Sequence, residues 1–167
     1  MSKYCMECGT LLEERYLENE GNIPYCPECR KFRFPLYNVG TSMIVREEST
    51  GKVLLIKQYG HPQYVLVAGY AGQGESIENT AAREVKEETG LDAVSVKFNR
   101  SRYFARTNTL MCNFTVWIKD ASEICVNHEI DDYAWFTPDE AREAIKSDLA
   151  EAGLAEIFLN LYLDEAE

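Results

Sequence analysis

No apolar run in this 167-residue chain approaches the roughly 20 residues of a membrane span, which argues against a membrane as partner. The first residues, MSKYCMECG, contain no apolar h-region and no cleavage site, so no secretory leader is read there and a cytoplasmic setting is the expectation. Positive charge is scarce: 17 Lys and Arg stand against 28 Asp and Glu, a net charge of −11. Non-specific nucleic-acid binding neutralises phosphates with Lys and Arg, so nucleic acid is not the expected partner. A small phosphorylated molecule stays open, because a bound divalent cation reverses the local sign. Internal repeats and low-complexity linkers are also absent, and 46% hydrophobic residues argue against global disorder. The length suits one main domain with room for a small appended module.

What is present in excess is glutamate, and it is concentrated. The stretch Gly69–Leu91, GYAGQGESIENTAAREVKEETGL, holds Glu75, Arg83, Glu84, Glu87 and Glu88 between Gly69 and Gly90. Its composition predicts a helix over Ile77–Thr89, opened by Gly74 and Ser76 and stopped by Gly90. At 3.6 residues per turn, Glu84, Glu87 and Glu88 share an arc of roughly 100°, while Ala82 and Val85 turn towards a core. Like charges on one helical face are destabilising unless neutralised, and hard divalent cations with oxygen ligands are the natural neutraliser. Mg²⁺ takes one or two carboxylates and leaves positions for water and phosphates. The rival reading is a solvated, charged helix face.

Gly69, Glu75 six residues on, Arg83-Glu84-Val85, Glu87-Glu88 and Gly90-Leu91 match the Nudix box at each of its fixed positions. The chain is therefore identified by resemblance as a member of the Nudix hydrolase superfamily. That resemblance implies an α/β/α sandwich and a metal-dependent hydrolase of nucleoside diphosphates linked to another moiety.

Upstream, Cys5-x2-Cys8 and Cys26-x2-Cys29 form two knuckles, with Gly9 supplying permissive backbone after the first. This spacing reads as a Cys₄ zinc ribbon; disulfides and a redox dithiol are the alternatives. Such a module buries little surface alone, so a structural Zn²⁺ would supply much of its folding energy. Arg15–Glu20 and Asn22–Tyr25 are expected to form a hairpin through Gly21. Its basic residues are offset by Glu7, Glu13, Glu14, Glu18, Glu20 and Glu28, so no basic stripe results. The domains are set at 1–34 for the ribbon and 35–167 for the Nudix hydrolase domain.

Beyond the ribbon, Val39–Arg46 and Lys52–Tyr59 read as a hairpin around Glu47–Gly51. Gln63–Val67 leads into Ala68-Gly69; Val94–Asn99, Leu110–Lys119 and Tyr133–Phe136 read as strands, and Asp139–Lys146 and Leu154–Leu163 as helices. Mixed strands with a few helices indicate an α/β sandwich-like domain. Cys112 reads as a small buried residue, and neither it nor Cys125 is added to the zinc set.

A Cys₄ ribbon before a Nudix domain resembles the NADH pyrophosphatase branch. In that branch an aromatic before the linking Pro stacks on adenine, which implies Phe34; Ala68-Gly69-Tyr70 resembles its Ala-Gly-Phe, whose Ala carbonyl ligates metal. Glu129-Ile130 with Ala134-Trp135-Phe136 resembles its distal segment, whose Glu is a further ligand. The branch's Ser-Gln-Pro-Trp specificity segment is not kept: Ser101-Arg102-Tyr103-Phe104-Ala105-Arg106 stands there. Arg102 and Arg106 either pair with a phosphate or carboxylate or are exposed strand residues.

The resemblance thus implies Mg²⁺ or Mn²⁺ on Glu84, Glu88, Glu87, Glu129 and the Ala68 carbonyl, with Glu87 a ligand or the group that orients water. Arg83 and Glu75, with Gly69 and Gly90, fix the loop. Phe34, Tyr70, Arg102, Tyr103, Phe104, Arg106 and Thr109 are the expected substrate contacts. A homodimer is implied by the branch. The other class of function is a non-catalytic nucleotide-sensing or interaction module on the same fold.

Overall fold

The computed structural model describes residues 3–147 and 152–166. The chain divides into two compact units, Met1–Tyr37 and Asn38–Glu167. No helix among the described residues is long and apolar enough to cross a membrane.

The first unit is a three-stranded antiparallel sheet of β1 (Glu13–Leu17), β2 (Gly21–Cys26) and β3 (Lys31–Phe32) in that order. The hairpin forms, but β1 ends at Leu17 rather than Glu20. Glu20 N–H donates back to the Leu17 carbonyl, and Asn19 (φ 68°) and Gly21 (φ 79°) take left-handed backbone. Asn accepts that conformation more readily than most residues, so the chain turns there. Tyr25 meets Phe32 edge-on at 5.1 Å, and the Arg15 guanidinium lies 3.9 Å from the Tyr25 ring centre. Among described residues 3–37, only Cys5 and Cys26 are fully buried. The centre of this unit is sulfur rather than hydrocarbon, and such a centre needs another source of cohesion.

The second unit contains β4 (Asn38–Glu47), β5 (Val53–Gln58), β6 (Val67–Tyr70), β7 (Ala93–Phe104), β8 (Thr109–Ile118) and β9 (Ile130–Phe136). Its helices are α1 (Ile77–Thr89), α2 (Pro138–Ala144) and α3 (Leu154–Ala166). The six strands form one mixed sheet in the order β7-β8-β4-β5-β9, with β6 beside the first half of β4. Only β4 and β8 run parallel. Both sheet faces are covered, so β4 and β5 read as nearly continuous apolar runs. Met43, Val45, Leu54, Ile56, Phe114 and Val116 pack with Ala81 and Val85 of α1. On the opposite face Ile44, Val53 and Leu55 pack with Ala141, Ile145, Phe158 and Leu159. The result is the expected α/β/α sandwich. Within α1, Ala81 rather than Ala82 is the fully buried alanine, one turn before Val85.

Strand β9 starts at Ile130 rather than Tyr133 and α3 runs to Ala166 rather than Leu163, and two further segments also differ from the reading of the sequence. Strand β7 runs past Asn99 to Phe104 because a bulge between Phe98 and Arg100 resets its register against β8. The bulged Asn99 turns its amide onto the Asn113 and Thr115 side chains at 2.9 and 3.0 Å. A bulge breaks the two-residue period, which is why the alternation stops there although the strand does not. Helix α2 ends at Ala144; its start is a full capping box, with Thr137 accepting from Glu140 and Glu140 accepting in return.

Candidate active site

Helix α1 and the loop before it build the site. Ser76 caps the helix by accepting from Asn79 N–H at 3.2 Å, and Gly90 ends it at φ 71° with its N–H on the Lys86 carbonyl. Between β6 and the helix, Arg83 acts as the hub. Its Nε and Nη2 bind the two Glu75 oxygens at 2.7 and 3.0 Å, a bidentate pair. Its Nη1 reaches Glu84 Oε1 and Glu87 Oε2, both at 2.8 Å, and Nη2 also reaches the Tyr70 carbonyl at 3.3 Å. Glu75 further accepts from Gly72 N–H and the Thr80 hydroxyl. Arg83, then these two donors, hold its carboxyl down at about 2. Glu75 is thus a permanent anion that orients Arg83, and Arg83 in turn fixes one oxygen each of Glu84 and Glu87.

Glu84 lies directly on Gly69, where an added Cβ would overlap its carboxylate. Gly69 is therefore required by close approach. Gly69→Ala is expected to push Glu84 aside and lower kcat about 100-fold with little loss of stability, since a flexible side chain yields before backbone does. Steady-state kinetics beside a urea melt check this, and an unchanged kcat would refute it.

Glu88 is 4% exposed, and its Oε2 is buried without a hydrogen-bond partner. Burial pushes its carboxyl up to about 8, with the Glu84, Glu129 and Glu87 charges adding to the effect. Glu84 is raised too, mainly by burial, with Arg83 opposing. Glu129 arrives from a loop tied to the end of α1: Cys125 N–H donates to Thr89 O at 2.8 Å and Asn127 N–H to Glu88 O at 2.9 Å. These are carbonyls the helix leaves unsatisfied at its C-terminus. Ala71 N–H donates to Val39 O, and Thr41 stands opposite Gly69. Antiparallel alternation then turns the neighbouring Ala68 carbonyl away from β4. A buried carboxylate oxygen without a partner, under the charges of Glu84, Glu129 and Glu87, is a hard donor that suits a divalent cation, although among the described residues only the four N-terminal cysteines already bring their ligand atoms within 4.8 Å of one another.

The expected substrate contacts scatter more widely. Tyr70 is exposed at the end of β6, Arg102 and Tyr103 are exposed on β7, Phe104 is half-buried, and Arg106 is exposed in the 3₁₀ turn Ala105–Thr107. Tyr103 donates to Asn108 Oδ1 at 2.8 Å. Thr109 is fully buried, and its hydroxyl is engaged with Thr107, so it closes the β7–β8 turn instead of facing solvent. Phe34 is exposed in the first unit. Sequence reasoning missed Tyr59, whose hydroxyl donates to Glu129 Oε2 at 2.7 Å. It also missed the backbone ties from Cys125 and Asn127. Gly60 and Pro62 are the signs of a turn that the sequence offers there.

In the first unit the sulfurs of Cys5, Cys8, Cys26 and Cys29 lie within 4.8 Å of one another, with Cys8–Cys26 at 3.5 Å and Cys5–Cys29 at 3.9 Å. All four are free thiols. They form one cluster and not two separate pairs. A tetrahedral site with metal–sulfur bonds of about 2.3 Å requires sulfur–sulfur edges of roughly 3.8 Å. Burial opposes ionisation of Cys5, but the Cys8 and Glu7 amides and Arg33 outweigh it and bring the thiol down to about 6. Arg33 is itself tied to Glu7 at 2.9 Å. The neighbouring Cys8 thiol, then burial, push Cys29 up to about 12. Four converging thiols with one already acidic suit a thiolate-bound cation.

The chain thus joins a three-layer sandwich to a glutamate-rich helix braced by an arginine hub. The NUDIX domain family matches residues 36–159, and the chain belongs to that family. Among curated relatives, the NAD-capped RNA hydrolase NudC of Pseudomonas aeruginosa is 27% identical over 164 residues, covering 97% of this chain and 56% of that protein. NudC of Vibrio vulnificus is 28% identical over 166 residues, covering 97% and 61%. NudC of Stutzerimonas stutzeri is 31% identical over 160 residues, covering 92% and 56%. The chain thus spans little more than half the length of these relatives. A Nudix hydrolase from Nitrosomonas europaea shares the fold with a TM-score of 0.64 at 23% identity, covering 98% of this chain and 92% of that one. The NUDIX domain of Shewanella oneidensis NrtR, solved with ADP ribose, does so with a TM-score of 0.63 at 15% identity, covering 86% and 94%.

Proposed function

We propose that this protein hydrolyses the pyrophosphate bond of a nucleoside diphosphate linked to another moiety, of the NAD(H), ADP-ribose or nucleotide-sugar type. The observation that carries this reading is Glu88: a buried carboxylate without a partner for Oε2, under the charges of Glu84, Glu129 and Glu87. Glu84, Glu88, Glu129 and the Ala68 carbonyl would hold Mg²⁺ or Mn²⁺, with Glu87 a ligand or the group that orients water. Bound there, the cation would neutralise diphosphate charge and make water a better nucleophile. The chain supplies the rest. Gly69 and Arg83 fix Glu84, Arg83 braces the exposed Glu87 towards the incoming water, and burial of Glu88 keeps bulk water from its oxygens. Tyr70, Arg102, Tyr103, Phe104 and Arg106 offer aromatic and cationic groups for base, ribose and phosphate.

In the first unit Cys5, Cys8, Cys26 and Cys29 would hold a structural Zn²⁺. The curated relatives are named for hydrolysis of NAD-capped RNA, and an NAD cap is a nucleotide conjugate of this kind. The net charge of −11 disfavours long phosphate contacts but not recognition of the terminal diphosphate alone. The test is a turnover screen of NADH, ADP-ribose and a nucleotide sugar with Mg²⁺ and Mn²⁺. Release of a mononucleotide from at least one is expected. Retention of ligand without cleavage by any would replace the enzyme with a binding module.

A further inference from the structure

Residues Gln58–His61 close a tight turn in which His61 N–H donates to the Gln58 carbonyl at 3.1 Å. Both central residues have positive φ, Tyr59 at 56° and Gly60 at 72°. That is a type I′ pattern, whose first central position favours Asn, Asp or Gly. A bulky aromatic in left-handed backbone is uncommon and persists only where its surroundings hold it. Packing does not account for it, because Tyr59 is 64% exposed. What engages it is its hydroxyl, which donates to Glu129 Oε2 at 2.7 Å.

The turn is anchored a second time. Gly60 N–H donates to Asp131 Oδ2 at 2.6 Å. Glu129 and Asp131 flank Ile130, which is buried in the core. The β5–β9 ladder slips between Lys57 and Gln58: Lys57 faces Asp132 but Gln58 faces Ile130, leaving Asp131 unpaired. Bulges of this kind re-aim side chains. Here the slip and the turn together set Tyr59 against Glu129.

Glu129 needs such a hold. It lies near enough to Glu84 and Glu88 to act on both, and any two of these groups that are ionised together repel one another until a cation arrives. A free glutamate would rotate outwards. A hydroxyl on one oxygen pins the group and leaves the other for the site. We infer that Tyr59 is a positioning residue, held in the left-handed arm of this turn to present Glu129 to the cation site with Oε2 occupied and Oε1 open. This rests on the proposed role of Glu129 as a cation ligand. Partners of metal-ligating carboxylates tune affinity in this manner.

The test measures Mn²⁺ binding by electron paramagnetic resonance on the whole chain, without substrate, together with melting in EDTA. Tyr59→Phe is expected to weaken Mn²⁺ binding about tenfold and leave the melting midpoint in EDTA unchanged. In a Glu129→Gln background the same substitution is expected to have no further effect. If Tyr59→Phe binds Mn²⁺ like the parent while Glu129→Gln binds weakly, the positioning role is refuted and the ligand role of Glu129 stands. If Glu129→Gln itself binds normally, Glu129 leaves the ligand set and Tyr59 loses its purpose. If Tyr59→Phe still weakens binding in the Glu129→Gln background, general loosening has replaced positioning as the explanation.

Discussion

Glu88→Gln is expected to lower turnover of the best nucleotide conjugate about 1,000-fold while the domain stays folded. The amide keeps the size of the side chain but removes the charge that a divalent cation needs. Titration separates this from a folding defect. In the metal-free protein Glu88 keeps its proton to about pH 8, against an ordinary 4.5. Between those values the folded state binds more protons than the unfolded chain. The stabilising preference is therefore complete below 4.5 and lost as the pH rises through about 8. Glu84, also raised, acts in the same direction. In EDTA the parent should lose stability from pH 5 to pH 8, and Glu88→Gln should lose less, melting above the parent at pH 8. Urea melts at the two pH values check the sign. A variant that turns over normally, or that destabilises the metal-free protein at pH 8, would remove Glu88 from the site.

Cys26→Ser has the other large expected effect. Cys26 is fully buried, and apart from Cys5 no described side chain of residues 3–37 shares that burial. A structural zinc contributes on the order of 10 kcal/mol to folding of such a module. Replacing one of four thiolates is expected to drop bound zinc from one per chain to none. The amide resonances of residues 3–37 should then collapse to unfolded positions. Metal analysis with heteronuclear NMR reads both. A parent first unit that is folded with no metal and its four thiols free would refute the zinc assignment, and a fold held by disulfides would restore the alternative the spacing left open.

The local order of the site was legible in residues alone. Ser76, Gly90 and the good helix formers between them delimit α1 at Ile77–Thr89, where the structure has it. Capping and left-handed termination are chemistry of neighbouring residues, so they survive any change of tertiary context. The two Cys-x2-Cys knuckles are local in the same sense. The first exits through left-handed backbone at Gly9, which a glycine adopts without help from the rest of the chain. The apolar runs Met43–Val45 and Val53–Ile56 likewise mark strands, and the structure shows them fully buried.

What the residues could not show depends on which strand lies beside which. The parallel pairing of β4 with β8, the bulge at Asn99 and the slip that leaves Asp131 unpaired are decided by register across long separations. So is the burial of Glu88, which the sequence places on a charged face and which tertiary packing takes out of water. Tyr59 touches Glu129 from 70 residues away. The composition of a helix face determines how many charges it carries; packing around that face determines which of them loses its water and shifts its acidity.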